Sequence, residues 1–445
     1  MKQNHSVSER GQVLVFLVLI MVGLLAFTAL AVDGGLIFAD RRGAQNAADA
    51  AVLAGGYRAA NTLEDYNLNF NITYSNWDCA EVQAVMDIAE IEAFQQATMN
   101  QYPINGASSL TMSCLTQDWG SYEDRYVDTR VQIISEITTS FVHLVFNNPL
   151  QNTVEAISRV RPRMPLAFGY AVYAHRDSCP NSDTGGVRFD GTNLVSIEGG
   201  GIMSDACLAA NGTALQVDVT GGEINYATDY APSGSPLVSP EPTHQQNLLP
   251  EWALLFPEPD CSTLPTATSN GEGTINPGIY DGITVTAAEQ LTMNPGLYCF
   301  DGNFIINGNA DSFVIGNGVT IFMRDGDVSS NGSAKVQLSA PSYVVTDDQG
   351  VTGMLIYLSA ENDGLVDLTG NSASYYSGTI FGEHDDSLIE IGGTGDMSSG
   401  CFNGIPCFGT QLIAGTVKIH GNAMLDIQFV SNAVYYLPAR LTLEK

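Results

Sequence analysis

The chain has 445 residues, a length at which two or three domains are expected. Its 48 acidic residues outnumber its 17 basic ones and give a net charge of −31. This balance argues against a nucleic-acid partner, because phosphate binding needs clustered lysine and arginine. The acidity predicts solubility outside a membrane first, and binding of divalent cations or cationic surfaces second.

An uncharged apolar run of 20 residues, 13–32, follows the first 12 residues. Twenty residues in a helix span about 30 Å, the thickness of the hydrocarbon core of a bilayer. A signal peptide has a shorter apolar core followed by a small-residue cleavage site. The run therefore favours a retained transmembrane helix over a cleaved signal peptide.

Basic residues flank this span on both sides, with Lys2 and Arg10 before it and Arg41 and Arg42 after it. The positive-inside count is nearly balanced for that reason. The long acidic part that follows contains all eight cysteines, which favours export. We therefore expect residues 1–12 to be cytoplasmic and the C-terminal part to be exported.

Residues 33–60 are predicted to form a helix dominated by small side chains, because alanine has the highest helix propensity. Small residues recur every four positions at Gly43, Ala47, Ala51 and Gly55, which lets another helix approach closely. This face is expected to pack against a helix of the same chain or of a partner subunit. The alternative is an alanine-rich helix that lies on its own domain.

The order of elements around the span is specific. It comprises Arg10-Gly11-Gln12, the apolar run, a turn at Ala31-Val32-Asp33-Gly34-Gly35, the pair Arg41-Arg42, and the run QNAADAAVLAGG over 45–56. This order resembles the N-terminal segment of TadE/TadG-like proteins of tight-adherence (Flp) pilus systems. The resemblance covers about 50 residues. It implies a single-pass protein of a bacterial cell membrane, with the membrane and other Tad pilus or envelope proteins as partners, and no catalytic residue.

Residues 61–176 are predicted to form an α+β, pilin-like region. Apolar residues over 79–100 recur with a helical period, and 126–146 and 154–160 have the composition of strands. The basic run over 159–165, interrupted by two prolines, marks a boundary. It is expected to be a solvated linker, or else a contact for an acidic partner or lipid headgroups.

Residues 177–445 are predicted to form an all-β, right-handed β-helix or solenoid, with a β-sandwich as the alternative fold. Short β-branched runs alternate with Gly, Asn and Asp, and the segment 276–280 recurs at 294–298. Asn-Gly corners, where a strand must turn, recur at 308–310, 331–334, 370–373 and 421–423. This region resembles the β-solenoid extensions of bacterial surface proteins.

Eight prolines between 231 and 265 interrupt that pattern. Because proline cannot donate to a central ladder, we expect an extended excursion there. Its apolar patch, 252–256, is expected to cover an end or flank of the solenoid, with a partner site as the alternative.

The cysteines form no CxxC pair, which makes a zinc site unexpected, and their even number in an exported chain favours disulfides. Pairing of neighbours is the simplest connectivity, although the sequence leaves others open. The neighbouring pairs are Cys79 and Cys114, Cys179 and Cys207, Cys261 and Cys299, and Cys401 and Cys407.

No catalytic motif was found, and no lysine or arginine occurs between Arg188 and Arg324. The best candidate metal ligands are Glu383, His384, Asp385 and Asp386, which offer hard oxygen atoms and an imidazole, and Ca²⁺ is the ion considered. Solvated turn residues are the alternative interpretation. No other cofactor is predicted, and the chain is not expected to be an enzyme.

The sequence thus predicts a membrane-anchored structural or assembly protein of a Tad (Flp) type pilus or related surface apparatus. It would display an exported β-solenoid domain for assembly or adhesion. The alternative is a surface adhesin that binds carbohydrate or another ligand, with Tyr375, Tyr376 and Phe381 contacting the glycan. A polysaccharide-degrading β-helix enzyme is disfavoured by the missing basic residues.

Overall fold

The protein was analysed as a computed structural model. It describes residues 10–70, 77–115, 125–137, 139–141, 149–180, 185–192, 194–245, 251–342, 350–370, 373–393, 407–421 and 424–444. The chain divides into two compact units. Unit 1 comprises Met1–Asn69, Trp77–Pro162 and Ala439–Lys445, and unit 2 comprises Phe70–Asn76 and Arg163–Pro438.

The helices of unit 1 are α1 (Arg10–Asp65) and α2 (Cys79–Met99). The sequence predicted a turn at 31–35, but α1 continues through it for 56 residues in all. Each glycine in a helix costs about 1 kcal/mol relative to alanine, and the apolar and alanine-rich stretches on either side offset the cost of Gly34 and Gly35. The predicted helix of residues 33–60 is therefore the second half of α1, and α2 matches the predicted helix over 79–100.

Unit 1 also contains a four-stranded antiparallel sheet of order β1-β2-β3-β34. Its strands are β1 (Ser109–Leu115), β2 (Tyr126–Ile137), β3 (Leu150–Arg161) and β34 (Arg440–Glu444). Alternate residues of β2 are buried against the helices, among them Val127 and Val131. Of the strands predicted over 126–146, β2 ends at Ile137, and residues 138 and 142–146 lie outside the described residues.

The last strand, β34, returns to this sheet and pairs with β3. The predicted boundaries of the second domain, 177 and 445, are therefore both displaced. The main part of unit 2 runs from Arg163, inside the basic run over 159–165, to Pro438.

The strands of unit 2 are short. In chain order they are β4 (Met164–Pro165), β5 (Val172–Ala174), β6 (Gly186–Gly191), β7 (Leu194–Glu198), β8 (Ile202–Ser204), β9 (Cys207–Gly212), β10 (Gln216–Thr220), β11 (Ile224–Tyr226), β12 (Asp229–Gly234), β13 (Leu237–Ser239), β14 (Thr243–His244), β15 (Thr266–Ala267), β16 (Gly273–Ile275), β17 (Gly278–Tyr280), β18 (Ile283–Val285), β19 (Gln290–Met293), β20 (Gly296–Phe300), β21 (Phe304–Gly308), β22 (Phe313–Asn317), β23 (Val319–Met323), β24 (Val328–Gly332), β25 (Lys335–Ser339), β26 (Met354–Leu358), β27 (Leu365–Gly370), β28 (Tyr375–Gly382), β29 (Leu388–Gly393), β30 (Phe408–Ala414), β31 (Thr416–Gly421), β32 (Leu425–Gln428) and β33 (Tyr436–Leu437). Two short 3-10 helices cover Leu166–Gly169 and Glu251–Leu254.

Most sets of three consecutive strands form a repeating group, which we call a coil, and each strand pairs in parallel with its counterpart in the next coil. β17 pairs with β20, β18 with β21 and β19 with β22. Three rows of strands result, which we call row 1 (with β5, β8, β17, β20, β23 and β26), row 2 (the nine-stranded sheet from β12 to β18) and row 3 (with β7, β10, β19, β22 and β25). The long strands β28 and β30 run from row 3 into row 1.

Parallel rows of this kind are consistent with a β-helix or solenoid. The β-sandwich alternative predicts antiparallel pairing, and it is wrong for the described part of unit 2, where only the short pair of β4 and β33 is antiparallel.

The coils form one stack from two separate runs of the chain. The first run, β5 to β14, starts inside the stack, because β5, β6 and β7 pair on one side with β8, β9 and β10. On their other side they pair with β30, β31 and β32, the last strands of the second run. The first run therefore extends from the middle of the stack to one end, at β14. The second run begins at the other end, at β15, and its last strands pair with the first strands of the first run.

The proline-rich excursion is shorter than the predicted 231–265, since β12, β13 and β14 occupy its first half. Pro232 lies in β12, and β12 is the terminal strand of row 2. A terminal strand tolerates a residue that has no N–H to donate. The part of the excursion that the structure places outside the coils is 251–265, which we call the crossing segment.

The crossing segment lies on the outer side of row 1. Phe256 contacts Tyr357 and Tyr435, with ring centroids 4.6 and 4.9 Å apart, and the Cys261–Cys299 disulfide joins the segment to β20. Row 1 is consequently buried on both sides, which suits its continuous apolar strands. The patch over 252–256 therefore covers a flank of the stack, although Leu255 remains exposed.

The described disulfides join consecutive cysteines, as in the simplest connectivity. They are Cys79–Cys114, Cys179–Cys207 and Cys261–Cys299. Cys407 is also disulfide-bonded, and Cys401 lies outside the described residues.

The interior of the stack is filled by side chains that repeat from coil to coil. Tyr280 pairs with Phe300, not with Tyr298, so the strands are offset by two residues from the repeat seen in the sequence. A shift of two keeps each side chain on the same side of the strand. Asn294 still donates a hydrogen bond of 2.7 Å to Asn276, its equivalent in the repeat.

One carboxyl group, Asp205, is buried at the corner after β8 with 5% of its surface exposed. The hydroxyl of Tyr173 donates to its Oδ2, and its Oδ1 has no partner among the described residues. Burial raises the pKa of Asp205 to about 7, and the charge of Asp177 acts in the same direction.

The Cys261–Cys299 bond should hold the crossing segment on row 1. Replacing both cysteines by serine is expected to destabilise unit 2 by about 2–4 kcal/mol, because the unfolded chain loses a closed loop. It should also speed proteolysis within 251–265. The Cys79→Ser/Cys114→Ser variant is the control, and equal proteolysis of the two variants would contradict this role.

The buried Asp205 predicts a pH dependence of stability. Its folded-state pKa of about 7 exceeds its ordinary value of 3.8, so the folded protein binds a proton that the unfolded chain has released. Stability should therefore fall as pH rises from about 4 to 7.

The Asp205→Asn variant should lose this slope and be more stable than the parent at pH 8, by an amount on the order of 3 kcal/mol. Calorimetric unfolding at pH 5 and pH 8 measures the effect. The exposed Asp218, changed to Asn, serves as the control. A parent whose stability rises over this range would show that another group dominates.

Candidate functional site: the anchor helix and its junction

The first half of α1 has the properties of a membrane span. Its most apolar 18-residue window has a mean hydropathy of 3.0, and none of that window is buried. By length and composition, this helix could cross a membrane. Its large apolar side chains point outward, and most of Val13 to Leu36 are at least 40% exposed.

A buried carboxylate lies where the apolar span ends. Asp33 is 1% exposed, and its oxygens accept hydrogen bonds from the backbone N–H groups of Ser140 (2.7 Å) and Phe141 (3.0 Å). Hydrogen bonds to an ionised carboxylate are among the stronger ones in proteins. Asp33 thus fixes the segment after β2 to the helix at the end of the span.

A second carboxylate, Asp40, follows two helical turns later on the same face. Its side chain accepts hydrogen bonds from Ser135 of β2, from Asn152 of β3 (2.9 Å) and from Tyr102 (3.2 Å). Burial and the charge of Asp40 raise the pKa of Tyr102. Both central strands of the sheet and the segment after α2 therefore converge on this side chain.

The predicted small-residue face continues from this junction. Ala47 and Ala51 are buried, and a Cβ on Gly43 would lie 2.6 Å from the Tyr102 hydroxyl. A Cβ on Gly55 would lie 3.0 Å from the Cβ of Ala93 in α2. The four positions thus lie against other parts of unit 1, and Gly55 packs against α2, a helix of the same chain.

Neither aspartate is predicted to be a site residue from the sequence, which places Asp33 in a turn and indicates no role for Asp40. The available signal was their spacing of seven residues, which places both on the helix face that Ala47 continues.

The predicted metal ligands over 383–386 do not converge. Glu383 accepts a hydrogen bond from Tyr357, Asp385 lies 3.6 Å from His175, and Asp386 pairs with Arg176. Burial raises the pKa of Glu383. Each of these three carboxylates therefore has its own protein partner.

Two of the three predicted glycan-binding aromatics are inaccessible. Tyr376 is 1% exposed and stacks on Phe408 inside the coils, and Phe381 is 1% exposed beneath Phe256. Tyr375, which is partly exposed, donates to Asn317. The alternation of side chains along β28 explains the difference between the two tyrosines.

Gly55 gives a direct test of the close packing at this site. A Gly55→Leu substitution should destabilise unit 1 by about 1–3 kcal/mol, since the Cβ alone meets Ala93 at 3.0 Å and Thr129 at 3.1 Å. Gly35→Leu is the matched control, because no atom lies within 4 Å of its Cβ position. Thermal unfolding of the full chain in detergent measures both. Equal stability of the two variants would contradict the packing described here.

Comparison with known families adds one match. Residues 11–60 match the family model described as a putative Flp pilus-assembly TadE/G-like domain. No curated protein and no solved structure gave a match to the chain. The matched residues include the apolar span, both junction aspartates and the small-residue face. The N-terminal segment of this chain is therefore TadE/G-like, as its motifs predicted.

Proposed function

We propose that the chain is a membrane-anchored structural or assembly component of a Tad (Flp) type pilus, or of a related surface apparatus. The observation that carries the proposal is the TadE/G-like match over 11–60, which coincides with one continuous helix. That helix is apolar and exposed in its first half and built into a folded unit in its second.

The orientation proposed is N-terminus inside and C-terminal domain exported, to the periplasm or the cell surface. Described disulfides in both units support export, because such bonds persist in oxidising compartments. The strong negative charge suits a domain that remains soluble outside the membrane.

We further propose that unit 2 is a right-handed β-helix displayed for assembly or adhesion. Its parallel rows support the β-helix, and the right hand follows from the general preference of parallel crossover connections. The role is structural rather than enzymatic, and turnover of a polysaccharide by the purified chain would count against it.

A complementation experiment tests the role of the anchor. In a strain that lacks the gene, the full chain is expected to restore pili. A variant whose residues 1–32 are replaced by a cleavable signal peptide should export the domain without restoring pili, because unit 1 is no longer held at the membrane. Piliation is scored by electron microscopy and export by immunoblotting of the fractions. Restoration by the released form would refute an anchoring role, and normal pili in the empty strain would refute the pilus assignment.

A further inference from the structure

The outer side of row 2 carries a column of charged side chains at one register. Asp367 of β27 pairs with Glu390 of β29, which pairs with Lys418 of β31. Neighbouring parallel strands lie about 4.8 Å apart, so two carboxylates are held next to each other. Like charges directly opposite on paired strands are destabilising unless something between them offsets the repulsion.

The imidazole of His420 lies beside these two carboxylates. His420 lies two residues beyond Lys418 on β31, and its Nε2 is 3.8 Å from Oε2 of Glu390. One ligand atom from each of Asp367, Glu390 and His420 lies within 4.8 Å of the others.

The position of this imidazole depends on a glycine in the neighbouring strand. His420 is paired with Gly392 in β29, and a Cβ on Gly392 would lie 2.8 Å from Cε1 of the ring. Only a residue without a side chain leaves this space, so the ring lies across β29 beside the carboxylates. Three side chains from three consecutive strands thus converge on a rigid sheet.

One cation already touches this group. Nζ of Lys418 donates to Oε1 of Glu390 at 2.9 Å, which leaves Oε2 facing His420. On the far side of Lys418, Arg188 is paired with Asp190. Asp367 accepts a hydrogen bond from the side chain of Asn331 and makes no ion pair with a lysine or arginine among the described residues. The excess negative charge is therefore concentrated between Asp367 and Glu390.

We propose that Asp367, Glu390 and His420 form a binding site for a divalent transition-metal ion such as Zn²⁺. Two carboxylate oxygens and an imidazole nitrogen are the donors that this class of ion takes, whereas Ca²⁺ prefers oxygen ligands alone. All three side chains are partly exposed, so a water molecule could complete the set of ligands. The ion would join β27, β29 and β31, and β31 is the strand that meets β6 where the two runs of the chain close.

The test is titration calorimetry on the full chain in detergent, after removal of metals with a chelator. Zn²⁺ is expected to bind one equivalent per chain, and Ca²⁺ should compete poorly. His420→Ala and Glu390→Gln should each weaken Zn²⁺ binding roughly 10–100-fold. Lys418→Met should tighten it, because the ammonium group no longer holds Oε1 of Glu390. Circular dichroism checks that each variant is folded.

His384→Ala is the matched control, because it removes an imidazole from the acidic segment over 383–386 and should leave binding unchanged. The proposal is overturned if the parent binds no Zn²⁺, or if His384→Ala abolishes binding while His420→Ala does not. It is also overturned if Lys418→Met weakens binding, since the group would then be an ion-pair network that needs its lysine.

Discussion

Helix α1 is unbroken, although its two halves have different surfaces: an exposed apolar surface in the first half and a surface packed against unit 1 in the second. Its first half exposes apolar side chains and has the hydropathy of a lipid-spanning segment, whereas its second half is covered by α2 and the antiparallel sheet. Close packing in the second half requires small residues, since the Gly43 and Gly55 positions leave little or no room for a side chain. Asp33 and Asp40 lie between the two halves and bind the sheet and its adjoining segments through hydrogen bonds. Because the helix has no break, unit 1 is fixed to the span and not tethered by a linker.

Unit 2 depends on a different constraint, the pairing of each coil with the next. The backbone N–H and C=O groups on both edges of a strand need hydrogen-bond partners. In the described coils, the strands of the neighbouring coils provide these partners, except at the two ends of the stack. The first run starts inside the stack, so its closure against β30, β31 and β32 joins residues far apart in sequence. This order requires a segment that passes from one end to the other. The crossing segment does so, and it also covers the aromatic outer side of row 1.

Features that depend on local composition and periodicity could be predicted from the sequence. The apolar run, the alanine-rich helix, α2 and the change to short strands all follow from composition and periodicity. The resemblance of residues 11–60 was confirmed by the family match. Pairing of neighbouring cysteines was the simplest guess, and the three described bonds agree with it.

Features that depend on contacts between residues far apart in the sequence could not be predicted from local composition and periodicity. Nothing local indicates that β34 joins the sheet of unit 1, or that β31 meets β6. The same limit explains the metal candidates. The contiguous acids over 383–386 are conspicuous in sequence, whereas Asp367, Glu390 and His420 become neighbours only through strand pairing.

In the proposed orientation, α1 stays in the membrane with its N-terminus inside while the rest of the chain is exported. Protease treatment of intact cells that express a C-terminally tagged chain tests it most directly, followed by fractionation of the membranes. Where an outer membrane encloses the domain, the treatment is applied to cells with that membrane opened. If the proposed orientation holds, the tag is lost while an N-terminal fragment containing residues 13–32 remains in the membrane. A tag that stays protected until the cytoplasmic membrane is lysed would contradict it.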